Sequence, residues 1–266
     1  MINFDAGSGS SLLQQVQEKQ NNLIEKLASG KKVNSAADGA AAQQIIDRLT
    51  SQVEGNRQAI SNAYDGISLA QVAEGGLEGI NNDVSRIREL TVQAGNGILS
   101  DSDKQAIQSE ITQLQDNISQ TIEQTNFAGK PLLSEDGALS FQVGANNGQQ
   151  IDVATQDIGS QLAGVLSIDL TGGTSVNDAL SAADAAIETV GGARADLGAT
   201  QSQFESTARN LSQSDVNASA ARSRIADTDY AQTVSASVAN DVQGQAALTV
   251  QAQANQQQGQ VLALLN

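Results

Sequence analysis

Residues 46–94 read IDRLTSQVEGNRQAISNAYDGISLAQVAEGGLEGINNDVSRIRELTVQA, and the spacing of apolar positions in this stretch decides the fold. Ile46, Leu49, Val53, Ile60, Ala63, Ile67 and Ala70 follow one another at intervals of three and four, with a polar Asn56 standing in the series. After a one-residue slip the seam continues through Ala73, Leu77, Ile80, Val84, Ile87, Leu90 and Ala94. That interval returns a side chain to the same face of an α-helix, whereas a strand repeats every two residues. The stretch therefore predicts one helix from about Ala36 to about Ala94, roughly 85 to 90 Å long at ~1.5 Å per residue. So long a helix with so narrow a stripe must be packed along its whole length against something.

Outward from this helix the same period recurs. Ile107, Ile111, Leu114, Ile118 and Ile122 mark a second helix, opened by Ser102 with Gln105 three residues later as a capping-box pattern, and Gly95-Asn96-Gly97 supplies the turn before it. A third long helix runs from about Val176 through Leu180, Ala183, Ile187, Val190, Leu197, Phe204 and Leu211, with Tyr230 as its outer limit and Ser175 and Asp178 as its start signal. Between them the period changes to two, in Leu139, Phe141 and Val143 and again in Ile151 and Val153. Asn147-Gly148 lies between those runs, which predicts a β-hairpin with a tight turn at positive φ, inside a small Gly-rich β region spanning 130–173.

The two ends share a style. Leu12, Leu13, Val16, Leu23, Ile24 and Leu27 at the start form a narrow apolar stripe on a Gln- and Asn-rich helix. Val234, Val238, Val242, Leu248, Val250, Val261, Leu262, Leu264 and Leu265 do the same at the end. Such a stripe does not offset an ordering cost of roughly 1 to 2 kcal/mol per residue unless a partner covers it. The ends are therefore expected to be weakly folded in a monomer and to order only by pairing, with each other and with neighbouring copies. The residues carrying that self-assembly are Leu12, Val16, Leu23, Leu27, Val242, Val250, Val261, Leu262, Leu264 and Leu265.

Composition narrows the function. The 266 residues include no Cys, no His and no Trp, one Pro, and one Met at position 1. Thiol nucleophiles, disulfides and Cys or His metal ligands are thereby excluded, together with the only side chain that titrates near neutrality unperturbed. A net charge of -16, with eight Arg and six Lys scattered along the chain, argues against binding nucleic acid. Aromatics are 2% of residues, so the apolar surface is Ala, Val, Leu and Ile, which suits closely packed long helices. No stretch approaches 18 apolar residues, and residues 1–30 hold no signal-peptide core, so neither membrane insertion nor a cleaved leader is expected.

Several passages resemble the flagellins in order and spacing. They are Leu27-Ala-Ser-Gly-Lys-Lys-Val-Asn-Ser-Ala-Ala-Asp38, Asn62-Ala-Tyr-Asp-Gly-Ile-Ser-Leu-Ala-Gln71, Ala73-Glu-Gly75, Arg86-Ile-Arg-Glu-Leu-Thr-Val-Gln-Ala94 and Thr125-Asn-Phe-Ala-Gly-Lys130. The resemblance resumes at Leu197-Gly-Ala, Phe204-Glu-Ser and Asn210-Leu-Ser. It ends through Ser219-Ala-Ala-Arg-Ser-Arg-Ile-Ala-Asp-Thr-Asp-Tyr-Ala231, Gln251-Ala-Gln-Ala-Asn-Gln256 and the apolar tail. The resemblance implies a mainly α fold: long antiparallel helices in a coiled-coil-like terminal domain (1–35 with 231–266) and a helical rod (36–230) bearing a small β-hairpin region. It implies a filament subunit of the extracellular bacterial flagellum, exported unfolded through the flagellar type III channel, without cofactor or catalysis. Other copies of the chain, the filament cap, the hook-filament junction protein and the flagellin export chaperone are the implied partners. Only Ile168-Asp-Leu-Thr-Gly-Gly-Thr174 joins hairpin to helix, where the family often carries variable outer domains. Departures are the Gly- and Ser-rich first eleven residues, Gly39 where Asp is frequent, Asn266 in place of a frequent Arg, and Val and Ala for larger residues within 234–250.

By the same resemblance Arg86, Leu90 and Glu110 form the site read by the flagellin-sensing Toll-like receptor of animals, although Ser85 stands where Gln is common. Their bland reading is an apolar seam residue, Leu90, beside an Arg86–Glu89 pair three residues apart, worth about 0.2 to 0.5 kcal/mol. Asp101-Ser-Asp103 lacks the Gly and the Glu that a calcium loop needs at Ala106 and Thr112, and is read as a helix cap. Gly30-Lys31 is a helix break before Ser35 and Asp38, not a phosphate loop. Two rivals remain from the sequence: a hook-filament junction protein with the same ends, and a cytoplasmic coiled-coil adaptor, for which heptads alone would suffice.

Overall fold

The computed structural model describes residues 6–265, with side-chain environments for 11–257. Seven helices and four short strands follow in the order α1 (Ala6–Ser29), α2 (Ala36–Ala94), α3 (Asp101–Gln124), β1 (Asn126–Phe127), β2 (Lys130–Pro131), β3 (Gly137–Gln142), β4 (Gln150–Thr155), α4 (Ile158–Gln161), α5 (Ala163–Leu166), α6 (Val176–Ala226) and α7 (Tyr230–Leu265). Long helices dominate, as the periodicity predicts, and they pack antiparallel, as the resemblance implies. The chain divides into two compact units, one built from residues 1–53 and 216–266 and the other from 54–215.

The seam of α2 in the second unit is buried as read. Leu77, Ile80, Val84, Ile87, Leu90 and Ala94 are all inaccessible, and Asn56 is buried with them. Cross-helix pairs set the direction of α6. Arg57 meets Asp215 at 3.4 Å, Gly66 meets Phe204, and Arg88 meets Asp184 at 2.6 Å, so one number falls as the other rises. α3 returns along α2 with Ile107, Ile111, Ile118 and Ile122 turned inward. Its cap is two residues earlier than the sequence suggests. Ser100, extended at φ -73° and ψ 163°, accepts from the Asp103 amide, and the Asp103 carboxylate accepts from the Ser100 amide at 3.0 Å. Ser-x-x-Asp and Ser-x-x-Gln both fit a capping box, and Asp, charged at the positive end of the helix, closes the reciprocal pair.

The hairpin pairs Gly137–Gln142 with Gln150–Thr155 in the register Leu139↔Val153 and Phe141↔Ile151. Its connection is longer than the predicted tight turn. Gly148 alone among 143–149 has positive φ, at 83°, while Asn147 does not. The Gln142 amide donates to the carbonyls of Gly144 and Asn146, and Gln149 Oε1 accepts from the Asn146 amide, so side chains close a seven-residue loop. The 130–173 region also ends in the helical turns α4 and α5 rather than in further strand, with Asp157 capping α4 through the Ser160 amide. The hairpin sits on Phe204, which is fully buried and meets Phe141 edge-on at 5.6 Å.

In the first unit, Gly30 breaks α1 at φ 68°, and Asp38 Oδ2 accepts from the amides of Asn34 and Ser35 to start α2. α6 stops at Ala226 instead of continuing toward Tyr230, where α7 begins. The connecting segments bridge each other there: the Lys32 amide donates to Ala226 O at 2.6 Å, and the Thr228 amide donates to Gly30 O at 3.0 Å. These two bonds bring α1 and α7 side by side.

Candidate functional site

The surface singled out by the sequence lies on the α1·α7 pair. Within it the two helices meet through small and polar groups. Asn240 Nδ2 donates to Val16 O at 2.9 Å and to Gln20 Oε1 at 3.0 Å, and Gln20 Nε2 donates to the Ser237 hydroxyl at 2.9 Å. A Cβ placed on Gly244 would lie 3.2 Å from Val16 Cγ1, so the backbones approach closely. On the α1 side Leu13, Val16, Leu23 and Leu27 are half-buried, while Leu12 is 52% exposed.

The large apolar residues of α7 point elsewhere. Val238, Val242, Leu248 and Val250 are between 55% and 61% exposed, and Val234 is 37% exposed. The expected assembly residues thus fall into two groups, with Val16, Leu23 and Leu27 shielded within the pair and Leu12, Val242 and Val250 outside it. The side chains of Val261, Leu262, Leu264 and Leu265 lie outside the described residues. The reading of apolar stripes overlooked the inner seam of Gln20, Ser237, Asn240 and Gly244. Its signal was present, since Ser237, Asn240 and Gly244 recur at intervals of three and four, but in polar and small residues that an apolar count passes over.

On α2 and α3, Arg86 donates through Nε and Nη2 to Glu110 Oε1 at 2.9 and 2.8 Å and through Nη1 to Glu89 at 3.1 Å. The hydrogen bonds to Glu110 and Glu89 raise the guanidinium pKa further above its ordinary value. Both members of the Arg86–Glu110 pair are about half exposed, whereas Leu90 is 2% exposed and belongs to the core beneath. Asp103 serves the α3 cap, and its carboxylate is held below its usual range by the Ser100 hydroxyl. Among the described residues no cluster of His, Cys, Asp or Glu is placed to hold a metal, and no helix is long and apolar enough to cross a membrane.

Comparison with known proteins gives this geometry a context. Residues 3–138 match the bacterial flagellin N-terminal helical region, and residues 180–265 match the bacterial flagellin C-terminal helical region. The chain is 40% identical to flagellin of Bacillus subtilis (strain 168), covering 91% of each. It is 49% identical to flagellin of Shigella flexneri over 60% of this chain, but only 30% of that protein. The chain thus spans nearly the whole of one flagellin and under a third of another, consistent with a short form in which residues 167–175 alone link α5 to α6. In fold it also resembles a putative flagellar hook-associated protein from Vibrio parahaemolyticus, with TM-score 0.61 and 16% identity over 71% of this chain and all of that one. Matched at both helical ends and along most of a short relative, the chain belongs to the bacterial flagellin family, the non-enzymatic subunits of the extracellular flagellar filament.

Proposed function

We propose that the chain polymerises by burying the outward apolar face of its α1·α7 pair against neighbouring copies, with 1–35 and 231–266 as the terminal assembly domain and 36–230 as the helical rod domain. One observation carries this: α7 spends its polar and small residues on α1 and leaves Val238, Val242, Leu248 and Val250 to solvent. In a water-soluble monomer that arrangement is inverted relative to a stable pair. At ~25 cal/mol per Å² of apolar area, the exposed stripe becomes favourable once every copy is surrounded by others. Leu12 adds exposed apolar area on α1, and by the sequence reading Val261, Leu262, Leu264 and Leu265 take part in the same assembly. The filament cap, the hook-filament junction protein and the export chaperone would meet the same terminal helices. Deleting residues 261–265 is expected to abolish filaments in an in vitro polymerisation assay, and filaments of ordinary length from the deleted chain would sink the mechanism.

A second role rests on Arg86 and Glu110, an exposed ion pair bridging α2 and α3, with Leu90 supporting it from below. Recognition by the animal flagellin-sensing receptor at this pair predicts that Arg86→Ala weakens receptor activation by purified monomer at least roughly tenfold, the behaviour of a hot-spot arginine. Unchanged activation would assign the pair to the rod alone.

A further inference from the structure

We propose that the fold selects Asn147 as a site of spontaneous modification, at which the side-chain amide is lost by attack of the Gly148 backbone nitrogen. Asn147-Gly148 marks a turn in the sequence, and the folded hairpin leaves the pair exposed in the loop 143–149, outside both strands. Other members of the loop tie it together. Gln142 Nε2 donates to the carbonyls of Gly144 and Asn146, Gln149 Oε1 accepts from the Asn146 amide, and the Val143 amide donates to Gln149 O. Among the described residues no hydrogen bond holds the Asn147 side chain or the Gly148 amide. Gly148 has no Cβ to shield its nitrogen, and even an added Cβ would meet nothing within 4 Å.

The chemistry needs only these two groups and water. The Gly148 nitrogen gives its proton to base and bonds to Asn147 Cγ, the Cγ–Nδ2 bond breaks, and the nitrogen leaves as ammonia after taking a proton from water. A cyclic imide results, and water opens it at either carbonyl. Breaking the bond from Cγ to the Gly148 nitrogen yields aspartate. Breaking the main-chain bond yields isoaspartate, whose backbone runs through Cβ and Cγ. Either product carries one more negative charge than asparagine. Asn96-Gly97 is the internal comparison, because it is equally exposed but held. The Asn96 amide donates to Gln93 O and its carbonyl accepts from the Leu99 amide, both at 3.1 Å, while its Oδ1 accepts from the Ile98 amide at 3.4 Å. Ring closure turns both the backbone and the side chain of the asparagine, so it must disrupt these bonds at Asn96 and none at Asn147.

The test incubates the full-length monomer in mildly alkaline buffer, folded and in urea, and follows it by isoelectric focusing and peptide mapping, with isoaspartyl methyltransferase labelling the rearranged product. In the folded chain, conversion at Asn147 should outpace conversion at Asn96 at least roughly tenfold, the factor that freeing two backbone hydrogen bonds imposes. In urea, where those bonds are gone, the two rates should come within about threefold of each other. Asn147→Gln, whose longer side chain closes a ring far less readily, should lose the acidic band, and Asn96→Gln should keep it. An acidic band that persists undiminished in Asn147→Gln would overturn the proposal, as would equal conversion of the two sites in the folded chain. A tenfold preference that survives in urea would overturn it as well, because neighbouring sequence and not the fold would then select the site. Both turns lie in the second unit, so the readout does not involve the terminal helices.

Discussion

At Phe204 a single ring joins three parts of the second unit. It is fully buried, packs edge-on to Phe141 of the hairpin, and lies so close to α2 that a Cβ at Gly66 would sit 2.4 Å from its Cζ. Gly66 is there because the ring occupies the space a side chain would need. Phe204→Ala is expected to cost about 3 to 5 kcal/mol, the range for a buried phenylalanine. Gly66→Ala should cost about 1 to 3 kcal/mol by overpacking. Denaturant unfolding of the monomer checks both. Arg86→Ala is expected to leave the unfolding midpoint almost unchanged, because its partners are exposed and screened. Bulk at an aromatic junction therefore outweighs charge at the surface.

Individual elements separate folding from assembly. α3 is started by the Ser100–Asp103 capping box, and Ser100→Ala should lower stability by about 0.5 to 2 kcal/mol in thermal unfolding. α7 shows the opposite relation between burial and importance. A Val238→Asp, Val242→Asp double substitution places charge on a face that is already exposed in the monomer, so monomer helicity should be unchanged. Assembly should fail, because the same charges would be buried unpaired between copies. Sedimentation of filaments together with circular dichroism of monomers tests this, and polymer formed at the ordinary yield would show that the face stays wet.

For the whole molecule, the acid response follows from how its loops and caps are tied. Asp38 is held below the ordinary aspartate value by the backbone amides of Asn34 and Ser35, Asp103 by the Ser100 hydroxyl, Asp157 by Ser160, and Asp169 by Thr171. Asp83 moves the other way through partial burial. In the first four the unfolded chain takes up protons before the folded one as pH falls. Their contribution is thus complete above the unfolded value near about 3.9 and is lost as pH drops through the lower folded values. Urea midpoints should fall as pH drops below about 4, and less steeply in a chain carrying Asp169→Asn. Midpoints that rise with acid would mean that groups such as Asp83 dominate.

How much of this was legible in the chain depends on the range of the cause. Period is local: the intervals of three and four in 46–94 specify a helix and its buried face, and they did so down to Leu90 and Ala94. The flagellin resemblance, the missing Cys and His, and the short link before α6 are likewise properties of the chain alone. Where two local readings were equally good, packing chose. Ser100 and not Ser102 caps α3, and Gln142 and Gln149 close a longer hairpin loop in place of a tight Asn147-Gly148 turn. The inner seam at Asn240 left only a three-and-four spacing of small and polar residues, which an apolar count passes over, since a polar residue is read as solvent-facing until another helix is found across from it. The long helices and the family resemblance could be read from near-neighbour spacing and motif order alone, whereas the short turns α4 and α5 could not. Which face of α7 meets α1 and which stays exposed was settled by packing alone, because that depends on contacts between residues more than two hundred positions apart.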